Sequence, residues 1–363
     1  MQSARTICLM IVLAVIGATV LAAMPASAAP VEVHGFMLNR IYVSPGETHF
    51  NAERIGLQVS GPLAPDVKGL VEWYYHNWAP ADKLWLESAY VDFNLCEGRL
   101  RAGRGRNIIF GLTPTGGMRK TSEYGLVSET FTLERIEGVQ YTKTEDKGWG
   151  WGVGVYNGYS LGQRPTMDIH VLEHAANPHL TDRENSKADV LEVAGRLSRK
   201  VNPELEVGVS ARGGDMSITD LGFLHDHFNS TWTSRSRVRY GLDAVYRGKK
   251  EWMANAELYL AKTSEMDHVG WALLVGHEPK NPHALKAYAR YGVSDLDLSA
   301  KDVDDPTDPL TFDHQQLMLS VIQPLRPGVW LEYAWIQNTE NTLVSGVSVP
   351  ENDVGFVELF AAF

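Results

Sequence analysis

The sequence has very little cysteine. It contains 2 cysteines in 363 residues, and one of them, Cys8, lies in an apolar N-terminal stretch. Without that stretch Cys96 is left alone, and no intramolecular disulfide can form. A chain of this kind must be stabilised by something else, such as a large core or a closed network of backbone hydrogen bonds.

The apolar N-terminal stretch has the three parts of a secretory signal peptide. Arg5 provides a positive charge, ICLMIVLAVIGATVLAAM is apolar, and ASA (residues 26–28) is a small-residue cleavage pattern. Cleavage one residue later would place Pro30 directly after the scissile bond, so cleavage after residue 28 is expected. We predict a signal peptide over 1–28 and a mature chain over 29–363. An uncleaved membrane anchor is the alternative.

After residue 28 the sequence has no run of about 20 apolar residues, which excludes a membrane-spanning helix there. The chain carries 33 Lys and Arg against 44 Asp and Glu, a formal net charge of -11 at pH 7. An acidic chain is poorly suited to nucleic acid and to anionic lipid surfaces, so no nucleic-acid partner is predicted. An exported chain with these properties is either soluble or crosses a membrane with strands.

Alternation of apolar and polar residues dominates the mature sequence, and helical periodicity is almost absent. In ELEVGVSAR, for example, Leu205, Val207 and Val209 alternate with polar or small residues. About sixteen strands are predicted, near residues 31–44, 49–61, 66–77, 84–95, 98–107, 134–145, 149–159, 187–200, 204–214, 233–247, 251–263, 268–278, 284–294, 312–325, 329–340 and 352–363.

The predicted connections alternate between short turns, such as CEG and RPG, and mostly longer polar loops. This order is typical of an all-β, antiparallel transmembrane β-barrel with short periplasmic turns and long external loops. A pair of β-sandwiches or a β-propeller is the alternative. It is disfavoured because no linker divides the chain and because strands of about 10–14 residues are long for a soluble sheet. Closure of such a barrel would pair the last strand with the first.

Alternation also predicts which charged side chains face the interior, because contact with lipid costs an arginine about 2–4 kcal/mol near the midplane. The predicted pore-lining residues are Arg54, Glu72, Asp92, Arg101, Glu192, Arg196, Glu206, Arg212, Arg235, Arg237, Arg239, Asp243, Glu257, Arg290, Glu332 and Glu358. Opposed basic and acidic rows would create a transverse field across the pore. Alternatively, these charges pair with one another and stiffen the wall. The choice between anions and cations stays open.

One arginine does not fit this pattern. Strict alternation in RLRAGRGRN turns Arg104 outward, whereas Arg101 turns inward. An extra residue in the strand would change the direction of Arg104, so we predict a bulge at Gly103 or Gly105.

The stretch LRAGRGRNIIFGLTPTGG, the polar loop after it and ERIEGVQYT resemble the strand-five, third-loop and strand-six region of bacterial outer-membrane porins. The likeness in layout covers the whole mature chain and is greatest to the sixteen-stranded general and phosphate-selective (O/P-like) porins. It implies a third loop that folds inward, with Arg119, Lys120, Glu123 and Glu129 near a constriction. The terminal Phe363 matches the C-terminal signal read by the barrel-assembly machinery.

The resemblance implies an outer-membrane porin of a Gram-negative-type bacterium, a water-filled channel for passive diffusion of small hydrophilic solutes or ions. It implies no catalytic residue, cofactor or metal. The implied partners are outer-membrane lipid and lipopolysaccharide, the assembly machinery and a homotrimer, although the short loop WAPADK departs from the latching second loop of general porins. An enzyme embedded in a barrel and a sleeve for a partner, such as an electron-transfer protein, are the alternatives.

Three polar motifs are considered as sites and set aside. HVLEH (residues 170–174) matches the H-x-x-E-H pattern of inverted zincins but has no helical pattern to hold it. LHDHF (224–228) lacks the second acidic pair of the outer-membrane proteases. SDLDLSAKDVDDPTDP (294–309) lacks the glycine and the terminal glutamate of an EF-hand. It is predicted to be a solvated external loop, or one that binds divalent cations bridging lipopolysaccharide.

Overall fold

The computed structural model describes residues 30–44, 47–76, 83–112, 120–132, 135–145, 148–157, 190–227, 229–297, 311–342 and 353–363. The strands are β1 (Glu32–Ser44), β2 (Glu47–Ala64), β3 (Val67–His76), β4 (Lys83–Leu95), β5 (Gly98–Arg106), β6 (Arg135–Thr144), β7 (Trp149–Asn157), β8 (Leu191–Lys200), β9 (Leu205–Asp215), β10 (Ser236–Arg247), β11 (Trp252–Thr263), β12 (Met266–His277), β13 (Lys286–Asp297), β14 (Thr311–Arg326), β15 (Val329–Thr342) and β16 (Val354–Ala362). They close into one antiparallel barrel in chain order. The predicted sixteen-stranded barrel is confirmed.

Closure of the barrel depends on the pairing of β1 with β16, which runs from Phe36 opposite Ala362 to Val43 opposite Gly355. Phe363 extends this pairing by one step. The backbone N–H of Gly35 donates to the Phe363 carbonyl at 2.8 Å, and the Phe363 N–H donates to the Gly35 carbonyl at 2.9 Å. The sheet therefore has no free edge.

The start of β1 and the end of β16 lie at one rim, which we call the terminal rim. Its turns occupy residues 65–66, 96–97, 145–148, 201–204, 248–251, 278–285 and 327–328. The opposite, or loop, rim carries the connections 45–46, 77–82, 107–134, 158–190, 216–235, 264–265, 298–310 and 343–353. The predicted contrast between short turns at one rim and longer loops at the other thus holds for most connections. The connections 45–46 and 264–265 are exceptions, since they are as short as the turns of the terminal rim.

The two faces of the wall differ as alternation predicts. On β10 the side chains of Tyr240 and Leu242 are exposed on the outer face, whereas Arg237, Arg239 and Asp243 are buried inside. On β16 the exposed residues are likewise apolar, and Glu358 is buried. The barrel therefore has an apolar exterior and a charged interior.

Within the described residues, two helices lie outside the strands, α1 (Leu126–Phe131) and α2 (Ile218–His227). α1 belongs to the connection between β5 and β6, whose described parts are residues 107–112 and 120–132. We call these two parts the inner loop. None of the helices in the described ranges is long and apolar enough to cross a membrane.

The predicted bulge at Gly103 or Gly105 is wrong. β5 pairs with β4 and with β6 without a register shift. Arg104 stays on the outer face, where its Nη1 atom lies 2.8 Å from Glu137 Oε1 and its Nε atom donates to the Leu86 carbonyl at 3.0 Å. An acidic partner and a carbonyl oxygen thus compensate the outward arginine, and the strand needs no extra residue.

Gly103 instead permits close contact between strands. Its φ is 129°, and a Cβ atom there would lie 2.3 Å from the Ala89 carbonyl oxygen. We expect Gly103→Ala to destabilise the barrel by about 1–3 kcal/mol from backbone strain alone. The measurement is the midpoint temperature at which the folded electrophoretic mobility is lost. Gly195→Ala is the matched control, because a Cβ atom at this strand glycine meets nothing within 4 Å. Equal midpoints for the two variants would contradict the assignment.

Candidate pore and its inner loop

The inner loop enters the barrel through a turn at Asn107. The Asn107 Oδ1 atom accepts hydrogen bonds from the backbone N–H groups of Ile109 at 3.0 Å and Phe110 at 3.3 Å, and its Nδ2 donates to the Tyr156 hydroxyl at 2.9 Å. Ile109 then packs against Tyr156 in a buried apolar cluster. These contacts direct the chain from the end of β5 into the bore.

The next residues of the loop lie against the wall formed by β8 to β11. The N–H of Gly111 donates to Ser210 Oγ at 3.1 Å, and the N–H of Leu112 donates to the Tyr259 hydroxyl at 3.2 Å. Arg196 Nη1 donates to the Gly111 carbonyl at 3.1 Å. The polar backbone of this buried segment is therefore satisfied by side chains of the wall.

The second part of the loop contacts the terminal rim and the opposite wall. Lys120 Nζ lies 2.9 Å from Glu278 Oε1 in the turn after β12. The N–H of Ser122 donates to Glu332 Oε2 on β15 at 2.9 Å. The loop therefore crosses the bore from the wall of β8 to β11 to the wall at β15, and it also reaches the terminal rim. Arg119, which the family resemblance places near the constriction, lies outside the described residues.

Arg40 on β1 is the centre of a buried ion-pair cluster that the sequence reasoning missed. Its Nε atom lies 2.5 Å from Glu358 Oε2, and its Nη1 atom lies 3.0 Å from Glu53 Oε1 and 2.5 Å from Glu123 Oε1. Glu123 comes from the inner loop, so the cluster fixes the loop to the seam of the barrel. Alternation within β1, where Leu38 is also buried, is the signal that could have placed Arg40 inside.

A second missed cluster joins β4, β5 and β6. Glu87 is fully buried and forms an ion pair with Arg135. Arg106 Nη2 donates to the hydroxyl of Tyr124 in the inner loop at 2.8 Å. Strict alternation could not predict Glu87, because the register of β4 against β3 shifts here and leaves Glu87 and Ser88 both buried.

The predicted arginine row on β9 and β10 faces inward but is covered. Arg212, Arg237 and Arg239 are each at most 3% exposed. Arg212 Nε donates to Glu192 Oε2 at 2.6 Å, Arg237 Nη1 lies 3.5 Å from Glu192 Oε1, and Arg239 Nη1 donates to the Phe131 carbonyl at 3.3 Å. The end of α1 therefore occupies the space in front of this wall.

Several other predicted pore-lining residues form ion pairs or bind the loop. Arg101 Nε lies 2.8 Å from Asp92 Oδ1, and Arg196 Nη1 lies 2.5 Å from Asp243 Oδ2. Arg290 Nη1 donates to the Glu123 carbonyl at 2.9 Å. Mutual pairing, rather than two opposed solvated rows, describes these charges.

Most of the remaining predicted residues have local partners. Glu72 accepts hydrogen bonds from the Tyr74 hydroxyl at 3.0 Å and Ser88 Oγ at 3.1 Å, and Glu257 accepts from the Tyr259 hydroxyl at 3.2 Å. Arg54 lies over the Tyr74 ring at 5.9 Å, Arg235 Nε donates to the Met216 carbonyl at 2.7 Å, and Glu206 shares the inner face of β9 with Arg212. The role of the sixteen residues in conduction stays a prediction.

A cavity of about 260 Å³ lies between α1 and the inner faces of β14 to β16. Its polar lining consists of Glu123, Glu129, His314, Gln315, Gln316, Asn338 and Glu340, and its apolar lining includes Leu126, Ile336 and Val354. His314 Nδ1 lies 3.7 Å from Glu340 Oε1. Open space inside the barrel is thus found on the side of the loop away from the arginine row.

The polar motifs set aside above fall mostly outside the described residues. This applies to HVLEH (170–174) and to the part of the acidic stretch after residue 297. In LHDHF the ring of His225 is described, with Nε2 2.5 Å from the Trp232 carbonyl. Across the described ranges, no group of three or more His, Cys, Asp or Glu is placed to hold a metal ion.

Comparison with solved structures identifies the architecture. The chain is similar to the outer-membrane channel DcaP of Acinetobacter baumannii (TM-score 0.63, 11% identity, 94% of this chain and 99% of that chain) and to OmpF of Salmonella typhi (0.62, 12%, 94% and 100%). The fold is that of an outer-membrane porin. The anion-selective porin of Comamonas acidovorans is also similar (0.54, 12%, 93% and 100%). No family model and no curated sequence matches the chain.

The contact between Lys120 and Glu278 makes a pH-dependent contribution to stability. Burial of the Glu278 carboxyl opposes its ionisation, but Lys120 and the Tyr288 hydroxyl outweigh burial and lower its pKa below the ordinary value. Because the folded pKa is depressed, the stabilisation is present above the unfolded pKa and is lost as the pH falls through the folded one.

We expect Lys120→Met to lower the thermal unfolding midpoint in detergent at pH 7, by an amount that corresponds to about 1 kcal/mol or less. At a pH below the folded pKa of Glu278 the variant and the wild type should unfold together. Lys262→Met removes an exposed outer-wall partner of Asp267 and should have little effect at either pH. A difference for Lys120→Met that persists in acid would contradict the assignment.

Proposed function

We propose that the protein is an outer-membrane porin, a passive channel for small hydrophilic solutes or ions. The observation that supports this most strongly is a charged loop folded across the bore of a closed sixteen-stranded barrel. Such a loop narrows a water-filled path without blocking the ends of the barrel. Likeness to structures titled as outer-membrane channel and porin supports the same function.

The alternatives have less support. A sleeve for a partner protein needs an empty bore, and here the inner loop lies across the bore between Arg196 on β8 and Arg40 on β1. An enzyme would need a reactive constellation, and the described interior instead pairs its charges structurally. We therefore propose a protein without catalytic activity or cofactor.

Single-channel recording tests this proposal directly. We expect purified, folded protein in planar lipid bilayers to give discrete conductance steps that scale with salt concentration, as a passive aqueous pore requires. Heat-denatured protein from the same preparation is the control and should give no steps. Folded protein that never opens discrete pores would refute the porin proposal.

The location and assembly follow from the same proposal. An exported chain with a signal peptide over 1–28 would be inserted into the outer membrane of a Gram-negative-type bacterium by the barrel-assembly machinery, and it would contact lipid and lipopolysaccharide there. Exposed apolar side chains on the outer face of the barrel support contact with lipid. Membership of the O/P-like porin group is part of this proposal.

A homotrimer is also proposed. The ion pair between Arg104 and Glu137 lies on the outer face, with side-chain exposures of 32% and 51%. Charged groups on that face are costly against hydrocarbon, so contact with a second copy would be a better environment for them.

Phe363 is proposed as the assembly signal, and its removal tests that role. Deletion of Phe363 removes two backbone hydrogen bonds to Gly35 at the seam and the ring that lies over that glycine. We expect the deletion to lower the amount of heat-stable protein in the outer membrane several-fold. Phe363→Tyr keeps both the backbone and the ring, and should insert normally. Equal amounts for the deletion and the wild type would overturn the assignment.

A further inference from the structure

The cavity beside α1 has a lining that favours one kind of solute. At about 30 Å³ per water molecule, its volume of about 260 Å³ holds roughly eight or nine waters or a small organic molecule. We propose that this cavity is a cation-selective step of the channel, which accepts inorganic cations and primary ammonium solutes in preference to anions. This inference rests on the proposed porin function and adds a solute class to it.

The lining of the cavity is negatively charged, which favours cations over anions. Glu123, Glu129 and Glu340 contribute carboxylates, and the described lining contains no lysine and no arginine. A narrow aqueous space between low-dielectric walls concentrates the field of such groups and raises the local concentration of counter-ions. An anion would meet the carboxylates of Glu129 and Glu340 at the same place, whereas the charge of Glu123 is compensated by Arg40.

The rest of the lining suits an ammonium group on a short carbon body. Gln316 Nε2 donates to Asn338 Oδ1 at 3.1 Å, and Gln316 Oε1 accepts from the Leu126 N–H at 3.2 Å, so these amides are held in position at the lining. An ammonium group has three donors, which carboxylate and amide oxygens can accept. Ile336 and Val354 provide an apolar surface for the carbon atoms.

The arginines nearest to this cavity are engaged by carboxylates or by the loop. Arg40 is surrounded by Glu53, Glu123 and Glu358, so its cluster has more negative than positive groups. Arg290 donates to the backbone of the inner loop. Neither guanidinium lies in the lining of the cavity.

The arginine row on the opposite wall does not offset this preference. Arg237 and Arg239 are almost completely buried, and the last residues of α1 cover Arg239. A charge acts on a passing ion mainly where water-filled space lies in front of it, and the cavity of about 260 Å³ lies at the acidic wall. The arginine wall and the acidic wall therefore differ in their access to this cavity as well as in the sign of their charge.

The test is the reversal potential across a bilayer in a tenfold KCl gradient. We expect a wild-type K⁺ to Cl⁻ permeability ratio of about five or more, and a ratio at least about threefold lower for the double variant Glu129→Gln, Glu340→Gln. Replacement of KCl by ethylammonium chloride should leave the wild type cation-selective. Glu129→Lys, which inserts a positive charge on α1, should move the reversal potential toward the chloride value.

The control is Asp267→Asn, which removes a carboxylate from the outer wall and should leave the ratio unchanged. Heat-modifiable mobility establishes that each variant is folded. Where Glu340→Gln does not fold, Glu129→Gln and Glu129→Lys give the answer, because Glu129 lies on the loop helix. Discrete conductance with a reversal potential on the chloride side would overturn cation selection but not the porin proposal. An unchanged K⁺ to Cl⁻ permeability ratio in the folded Glu129 variants would do the same. Absence of conductance would overturn both cation selection and the porin proposal.

Discussion

The pairing of β16 with β1 is the constraint on which the rest of this structure depends. The sequence has only 2 cysteines, and an open sheet would leave unpaired backbone groups along two strands. Closure pairs these groups all the way to Phe363, where the last residue bonds to Gly35. Once the sheet is closed, its apolar residues must face outward, and its charges must be satisfied inside.

The inner loop adds polar groups to the interior of the barrel and also pairs with charges that are already there. It brings backbone N–H groups into the bore, and these are bonded by Ser210, Tyr259 and Glu332 of the wall. Glu123 of the loop also pairs with Arg40 in the cluster at the barrel seam. Loop position and barrel closure are thus coupled, because Arg40 and Glu358 belong to the two strands that close the sheet.

Much of the fold could be predicted because a period of two is a simple signal. Every strand follows from alternation, and the direction of Arg237 or Glu358 follows from the cost of a charge against lipid. The failures occur where the period breaks or where partners are distant in sequence. Glu87 lies at a register shift, and Arg104 is stabilised by Glu137, 33 residues away. Access to water is a tertiary property, so alternation could not show that the arginine row is covered.

The side of the bore that stays open is decided by the apolar residues of the loop. Phe110 and Phe131 pack against Tyr259 on β11, with ring centroids 5.5 and 5.1 Å apart. Burial of such rings is worth more than most individual polar contacts in the loop. The helix therefore lies on β12 to β14, and its C-terminal carbonyls accept from Arg239 on β10. Glu129, on the same helix, then faces the cavity at β14 to β16. The same packing thus leaves the cavity of about 260 Å³ between the helix and the wall of β14 to β16.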